Sequence, residues 1–323
     1  MKLATKQIVD VLRAAGEPSR VRILALLAQE ELAVLELCRV LDQSQPRVSR
    51  HLKLLAEANL VERFPDGAWV FYRLASAGRQ REVIDQVLAH IDPDDVVMAS
   101  DRARLEGVQA ERAAAAQAYF AENAAHWDEI RSLYVSDADV EAAIVRVTGE
   151  RRIRRLVDLG SGTGRMLTLL GPRAVHAVGL DLSQQMLNIA RRNTSEAGLA
   201  NVELRHGDVL DTRLGDAVAD LVVVHQVLHY LGDPSAAVRE AARLVAENGR
   251  LIIVDFAPHK HEFLRDDHQH RRLGFSDDEM ARWLADAGLT HLALTSLPPT
   301  RGDGLTVKIW AAARTPEDLR IAA

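Results

Sequence analysis

From about residue 150 onward, short apolar runs alternate with amphipathic stretches so regularly that few folds can accommodate the chain. Leu156–Leu159, Val175–Leu180, Val202–Arg205, Leu221–Val224 and Leu251–Val254 are of strand length, and several are continuously aliphatic, as strands buried on both faces are. Gln184–Ala197 and Ser235–Ala246, which fall between them, have helical spacing. Ser276-Asp277-Asp278-Glu279 is a capping box that opens a further helix ending at Gly288. Two last strands, Leu292–Leu297 and Leu305–Ala311, flank the turn-rich segment Pro298–Gly304. This alternation predicts a doubly wound, Rossmann-like α/β domain with a seven-stranded sheet closed by an antiparallel hairpin.

The first strand runs into Val157-Asp158-Leu159-Gly160-Ser161-Gly162-Thr163-Gly164. Alternating glycines between a strand and a helix let the backbone turn sharply and approach a ligand. Asp158 precedes the loop, Asp181 ends the next strand, and Asp208 follows the third. A carboxylate at Asp181 can accept both hydroxyls of a ribose. The dinucleotide fingerprint G-x-G-x-x-G is not met, since Arg165 stands three after Gly162.

This set resembles the class I methyltransferases, over about residues 120–315. The resemblance implies S-adenosylmethionine or S-adenosylhomocysteine as ligand. Asp158, Gly160, Ser161, Gly162 and Gly164 would then hold its methionine portion, Asp181 its ribose and Asp208 its adenine. Leu182, Met186, Gly207, Val209 and His225 complete the implied pocket. Tyr119–Asp128 resembles the lid helix of small-molecule members. His225 and His229, after the fourth strand, are candidates for a general base or for simple hydrogen-bond donors. The Asn-Pro-Pro-Tyr-like tetrapeptide of DNA-base methylating enzymes is absent, with Asp220-Leu221-Val222-Val223 on the equivalent strand.

The N-terminal third reads differently. Thr5–Ala15 has the spacing of a first helix, and Ser19 can cap a second. Leu32–Leu41 makes a third, and Ser44 caps a fourth with Pro46 in its first turn. On that fourth helix Val48, Leu52 and Leu55 must face a core, which leaves Gln45, Arg47, Ser49, Arg50 and Lys53 on other faces. Leu60–Phe64 and Ala68–Leu74, joined through Pro65-Asp66-Gly67, predict a hairpin, and the whole predicts a winged helix–turn–helix.

Leu41–Pro46, Val48–Leu55 and Trp69–Leu74 resemble the ArsR family of dimeric winged-helix repressors. The DNA-facing set so implied is Ser44, Gln45, Arg47, Ser49, Arg50, His51, Lys53, Arg63 and Arg73. Gln45 can pair with adenine, and Arg47 or Arg50 with guanine or phosphate. His51 is either such a contact or a partly buried structural residue.

Metal-sensing members carry a Cys-x-Cys pair on the third helix, where this chain has Ala33 and Leu35, neither a ligand. Cys38, the single cysteine, is expected to pack in the core, and its solitude precludes an intramolecular disulfide and fits a reducing cytoplasm. His259, His261, His268 and His270, with Asp266 and Asp267, have spacings that zinc could use. Lys260, Arg265, Arg271 and Arg272 crowd the same stretch, so it is read as a polar loop at the pocket mouth and no metal is expected.

Net charge is −6, yet residues 1–75 carry 11 Lys/Arg against 9 Asp/Glu. That asymmetry suits a first domain that touches phosphates and a second kept off them. No run is long enough to span a bilayer, and no leader pattern opens the chain. The expected order is a winged-helix DNA-binding and dimerisation domain (1–90), a helical connector (91–118), a methyltransferase-like domain (119–315) and a tail (316–323). Two functions fit. One is a cytoplasmic homodimeric regulator, a repressor of operator DNA that senses an adenosyl ligand, as do S-adenosylhomocysteine-responsive members of the resembled subgroup. The other is a small-molecule methyltransferase with an accessory winged helix.

Overall fold

A computed structural model describes residues 3–75, 78–92, 94–124, 127, 137–150, 152–299 and 304–314. The chain divides into two compact units, Met1–Ala114 and Ala115–Ala323.

The first unit holds α1 (Thr5–Ala15), α2 (Pro18–Leu27), β1 (Leu32–Ala33), α3 (Val34–Leu41), α4 (Gln45–Glu57), β2 (Val61–Asp66), β3 (Trp69–Leu74) and α5 (Arg79–Ala89), with the start of α6 (Val96–Asn123). Its core gathers Ile23, Leu37, Val48, Leu52 and Leu55, all fully buried, so the apolar stripe of α4 faces inward as its spacing requires. Three local readings change. Glu17, not Ser19, caps α2, its carboxylate accepting from the Arg20 N–H at 3.0 Å. Ser19 is buried and accepts instead from Gln43 Nε2. Leu32 and Ala33 are strand, paired with Tyr72 and Phe71, and α3 begins only at Val34. There the Glu36 carboxylate accepts from the Ala33 N–H at 2.8 Å. Ser44 stands at the N-cap of α4, but its side chain makes no cap hydrogen bond.

The hairpin is tighter than the sequence implies, since β2 continues to Asp66 and only Gly67 and Ala68 form the loop. Pro65 is tolerated inside β2 because that strand lies at the edge of the sheet order β1-β3-β2. The start of α6 docks in this unit through Asp101, which accepts two hydrogen bonds from Arg22, and through Arg112, paired with Glu30 and Glu36.

The second unit holds α7 (Asp137–Thr148), β4 (Ile153–Leu159), α8 (Arg165–Leu170), β5 (Ala174–Asp181), α9 (Gln184–Glu196), β6 (Val202–His206), β7 (Ala219–His225), α10 (Pro234–Leu244), β8 (Val245–Phe256), α11 (Phe263–His268), α12 (Asp277–Asp286), β9 (Thr290–Leu297) and β10 (Val307–Ala313). Its sheet has the order β6-β5-β4-β7-β8-β10-β9. The first five strands are parallel, while β10 runs antiparallel to both neighbours. This is the expected seven-stranded, Rossmann-like sheet. Val222, Val224, Leu251 and Ile253 pack on one face and Leu221, Val223, Ile252 and Val254 on the other, which explains the continuous aliphatic runs. Val245 and Ala246 leave the expected helix for β8, because Val245 pairs with Ala219. Among the described residues no helix is long and apolar enough to cross a membrane.

A carboxylate cluster ties α10 to the loop before β7. Glu240 accepts from Arg243, from the Thr212 N–H and from Thr212 Oγ1. Chiefly through Arg243, its carboxyl is pulled down to about 2 from an ordinary 4.5. A depressed folded value means stabilisation that is present above 4.5 and lost as pH falls through about 2. Urea unfolding of Glu240→Gln should therefore show its largest deficit above pH 4.5, shrinking as pH is lowered toward 2. A deficit independent of pH would remove this group from the acid limb.

Candidate functional site

Two regions collect the residues singled out by the sequence. In the first unit, Ser44, Gln45, Arg47, Ser49, Arg50 and Lys53 are all exposed on α4, opposite the buried Val48, Leu52 and Leu55, and Arg63 is exposed on β2. His51 is half-buried, with Nδ1 3.6 Å from Glu17 Oε2. Burial pushes its imidazole down, and the Glu17 carboxylate pulls the other way. Arg73 departs from the expected set. Its guanidinium bonds Glu62 at 2.9 Å and Glu31 at 3.2 Å and lies over the Phe64 ring, so it neutralises carboxylates of its own unit instead of reaching outward. Cys38 packs partly buried against the core, and burial pushes its thiol up.

In the second unit the carboxyl ends of the parallel strands deliver Leu159, Asp181, His206, His225 and Phe256 to one edge of the sheet, where doubly wound folds bind ligands. Gly160 has φ 70°, and a Cβ built there would overlap Val227, so this turn accepts only glycine. Gly162, at φ 51°, donates its N–H to Asp181 Oδ2 at 2.8 Å, and Ser183 donates to Oδ1 at 2.8 Å. Burial pushes the Asp181 carboxyl up, and these two N–H groups oppose it. Gly164 completes the loop, its N–H bonded to the Ser161 carbonyl.

Asp158 is buried at the end of β4, and Ser161 Oγ is buried without a hydrogen-bond partner among the described residues. Asp208 follows Gly207 and closes its own turn by accepting from the Leu210 N–H at 2.8 Å. Met186 and Val209 are buried and Leu182 is exposed, its carbonyl 2.9 Å from His206 Nε2. A Cβ at Gly162 would lie 3.8 Å from Trp127 Nε1, which brings the expected lid segment to the loop. Positions 125, 126 and 128 of that segment, and Tyr134, lie outside the described residues.

His225 ends β7, while His229 lies buried in the short turn after it, with Nδ1 2.7 Å from Asp255 Oδ1. Sequence reasoning missed Asp255. Its position at the carboxyl end of a parallel strand, like that of Asp181, was the available signal. The four downstream histidines do not converge on one point. His268 Nδ1 lies 2.7 Å from the Tyr119 hydroxyl, and His270 is buried, which holds its imidazole well below the ordinary range. Asp266 and Asp267 are exposed on α11. Among the described residues no group of three or more His, Cys, Asp or Glu has the geometry to hold a metal ion.

Residues 17–63 match the family described as bacterial regulatory protein, arsR family, and residues 157–253 match the methyltransferase domain. The arsenical resistance operon repressor of Escherichia coli is 43% identical over 68 residues, covering 21% of this chain and 58% of that repressor. The demethylmenaquinone methyltransferase of Thermus thermophilus is 32% identical over 143 residues, covering 43% of this chain and 64% of that enzyme. An uncharacterized methyltransferase of Bacillus subtilis is 29% identical over 109 residues, 43% of its own length. The chain thus spans less than two thirds of each of these relatives.

A solved complex between the Haloferax volcanii Trm112 methyltransferase activator and a methyltransferase contains a chain similar in fold. It matches at TM-score 0.50 and 20% identity, over 61% of this chain and 98% of that one. The chain thus carries a winged helix–turn–helix unit and, after it, a Rossmann-like unit that shares its fold with that solved chain. In family terms, its first unit contains a segment similar to the arsR family and its second a segment similar to the methyltransferase domain.

Proposed function

We propose that this chain is a ligand-responsive transcriptional regulator, a cytoplasmic repressor that binds operator DNA as a homodimer and senses S-adenosylhomocysteine or S-adenosylmethionine. The observation that carries this reading is the presence in one chain of an outward polar face on α4 and a glycine loop at the ligand edge of a doubly wound sheet. Gln45, Arg47 and Arg50 would read bases or phosphates, with Ser44, Ser49, Lys53 and Arg63 positioning the helix on the backbone. Ile8, Val9 and Leu12 are exposed on α1, an apolar strip that supports burial against a second copy.

The adenosyl ligand fits the residues present. Among the described residues Ser161 Oγ, in the glycine loop, has no hydrogen-bond partner, and Asp181 retains accepting capacity beyond its two backbone bonds. Asp158, Gly160, Ser161, Gly162 and Gly164 would hold the methionine portion and Asp181 the ribose. Asp208 would hold the adenine, flanked by Leu182, Met186, Gly207 and Val209, with His225 nearby.

Operator binding measured with each adenosyl ligand and without either tests the proposal. One ligand should shift operator affinity roughly 5- to 150-fold, and operator DNA should shift that ligand's affinity by the same factor. Asp181→Ala should weaken ligand binding by about 1.5–3 kcal/mol while operator binding persists. Arg50→Ala should do the reverse. Equal operator affinity under all three conditions would sink the sensor reading.

A further inference from the structure

Away from the glycine loop, over the first halves of β4, β5 and β6, one face of the sheet is left open as a cleft of about 290 Å³. No helix spans the chain between His206, which ends β6, and Ala219, which begins β7, so that face has no helical cover of its own. Thr212 and Leu214 tie the connection to Glu240 and Arg243 on α10, and it stands beside the strands as a wall. Val157 and Val178, register partners on β4 and β5, form an apolar floor, and Leu214 and Val218 line the wall.

The rim is cationic. Arg155 and His176, also register partners, are exposed and line the same cleft. Neither side chain has a hydrogen-bond or ion-pair partner among the described residues. Arg205 and Arg213 complete the rim, the first bonded to Glu203 at 2.7 and 3.0 Å, the second 3.5 Å from an exposed Asp211. The lining therefore holds three arginines against one carboxylate, in a chain whose net charge is −6. Asp220 accepts from the backbone N–H groups of Arg154 and Arg155, and Asp216 accepts from Arg243, so neither is bonded to the Arg155 guanidinium.

We propose that this cleft is a second ligand site, which takes a phosphate monoester carried on a single flat ring. The phosphate sits between Arg155, His176 and Arg213, and the ring lies over Val157 and Val178. A phosphate dianion offers three oxygens to guanidinium forks and an imidazole that approach from different strands and a loop. A carboxylate, with two oxygens and one charge, satisfies fewer of them. An apolar floor with a few convergent polar groups is the usual make-up of a small-molecule site, and this volume suits one ring and its phosphate. The site rests on neither half of the function proposed above, since Gly160 and Asp181 lie at the other ends of β4 and β5.

Two measurements on the full chain test this, with phenyl phosphate as the probe. In calorimetric titration one phenyl phosphate should bind per chain, equally well in Asp181→Ala, and Arg155→Gln should weaken it about tenfold or more. Inorganic phosphate, which has no ring, and benzoate, which has no second charge, should each bind about tenfold more weakly than phenyl phosphate. With isotope-labelled histidine, phenyl phosphate should shift the His176 ring resonances of the wild-type chain and leave those of His225 unmoved. No titration at millimolar phenyl phosphate, or a His176 ring that does not respond, overturns the proposal whether or not the variants fold. Undiminished binding in Arg155→Gln, or binding lost in Asp181→Ala, overturns it as well. Inorganic phosphate or benzoate binding as tightly as phenyl phosphate reduces the cleft to a cationic surface and overturns it. Binding of a DNA duplex of unrelated sequence that depends on Arg155, with none of phenyl phosphate, overturns it in favour of a nucleic-acid contact.

Discussion

Asp101→Ala is expected to destabilise the first unit by about 3–5 kcal/mol, the cost of leaving a buried charge without its partner. The Arg22 guanidinium, 15% exposed, faces the Asp101 carboxylate, 3% exposed, through two bonds of 2.6 Å. Only the Leu41 carbonyl, 3.1 Å from Nη2, would then remain as a hydrogen-bond partner of Arg22 among the described residues. Because Arg22 sits on α2 and Asp101 on α6, the variant also reports how firmly α6 is docked within this unit. Replacing both residues with leucine should recover much of the loss, since a buried ion pair is often no more stabilising than well-packed apolar groups. Denaturant unfolding of the three variants is the measurement. A loss under about 1 kcal/mol in Asp101→Ala would mean that the pair is worth no more than a surface salt bridge.

Gly160→Ala should be nearly as costly, about 2–5 kcal/mol, and should act on the second unit. Part of the loss is the left-handed backbone at φ 70°, which penalises any Cβ. The rest is steric, because the new carbon overlaps Val227 Cγ2 and lies 3.0 Å from Cγ1, so the turn leading to His229 must move. Adenosyl affinity should fall at least about tenfold, or 1.4 kcal/mol, while operator binding by α4 is retained. Adding Val227→Ala should return the steric share and leave the backbone share, giving a clear coupling energy in the double-mutant cycle. Wild-type stability and adenosyl affinity in Gly160→Ala would show that the loop does not hold this turn.

Local pattern was enough for much of the protein. The spacing of Val48, Leu52 and Leu55 determined which side of α4 is buried, and the aliphatic runs at Leu221–Val224 and Leu251–Val254 marked strands covered on both faces. The loop Gly160–Gly164 was legible because a sharp turn after a strand requires glycine whatever surrounds it. These features depend on helical or strand period and on backbone sterics, which act over a few residues.

Tertiary structure decided the features whose partners are distant in sequence. Leu32 and Ala33 have a helical neighbourhood, yet β3 offers them ladder bonds and they become strand. Val245 leaves α10 because Ala219 pairs with it. Arg73 looked available for phosphate until folding placed Glu31, 42 positions away, against it. Asp255 had no visible role until β8 carried it to His229, 26 positions earlier in the chain. In each case the deciding term is a hydrogen bond or charge pair created only when separate elements meet, and no local periodicity encodes it.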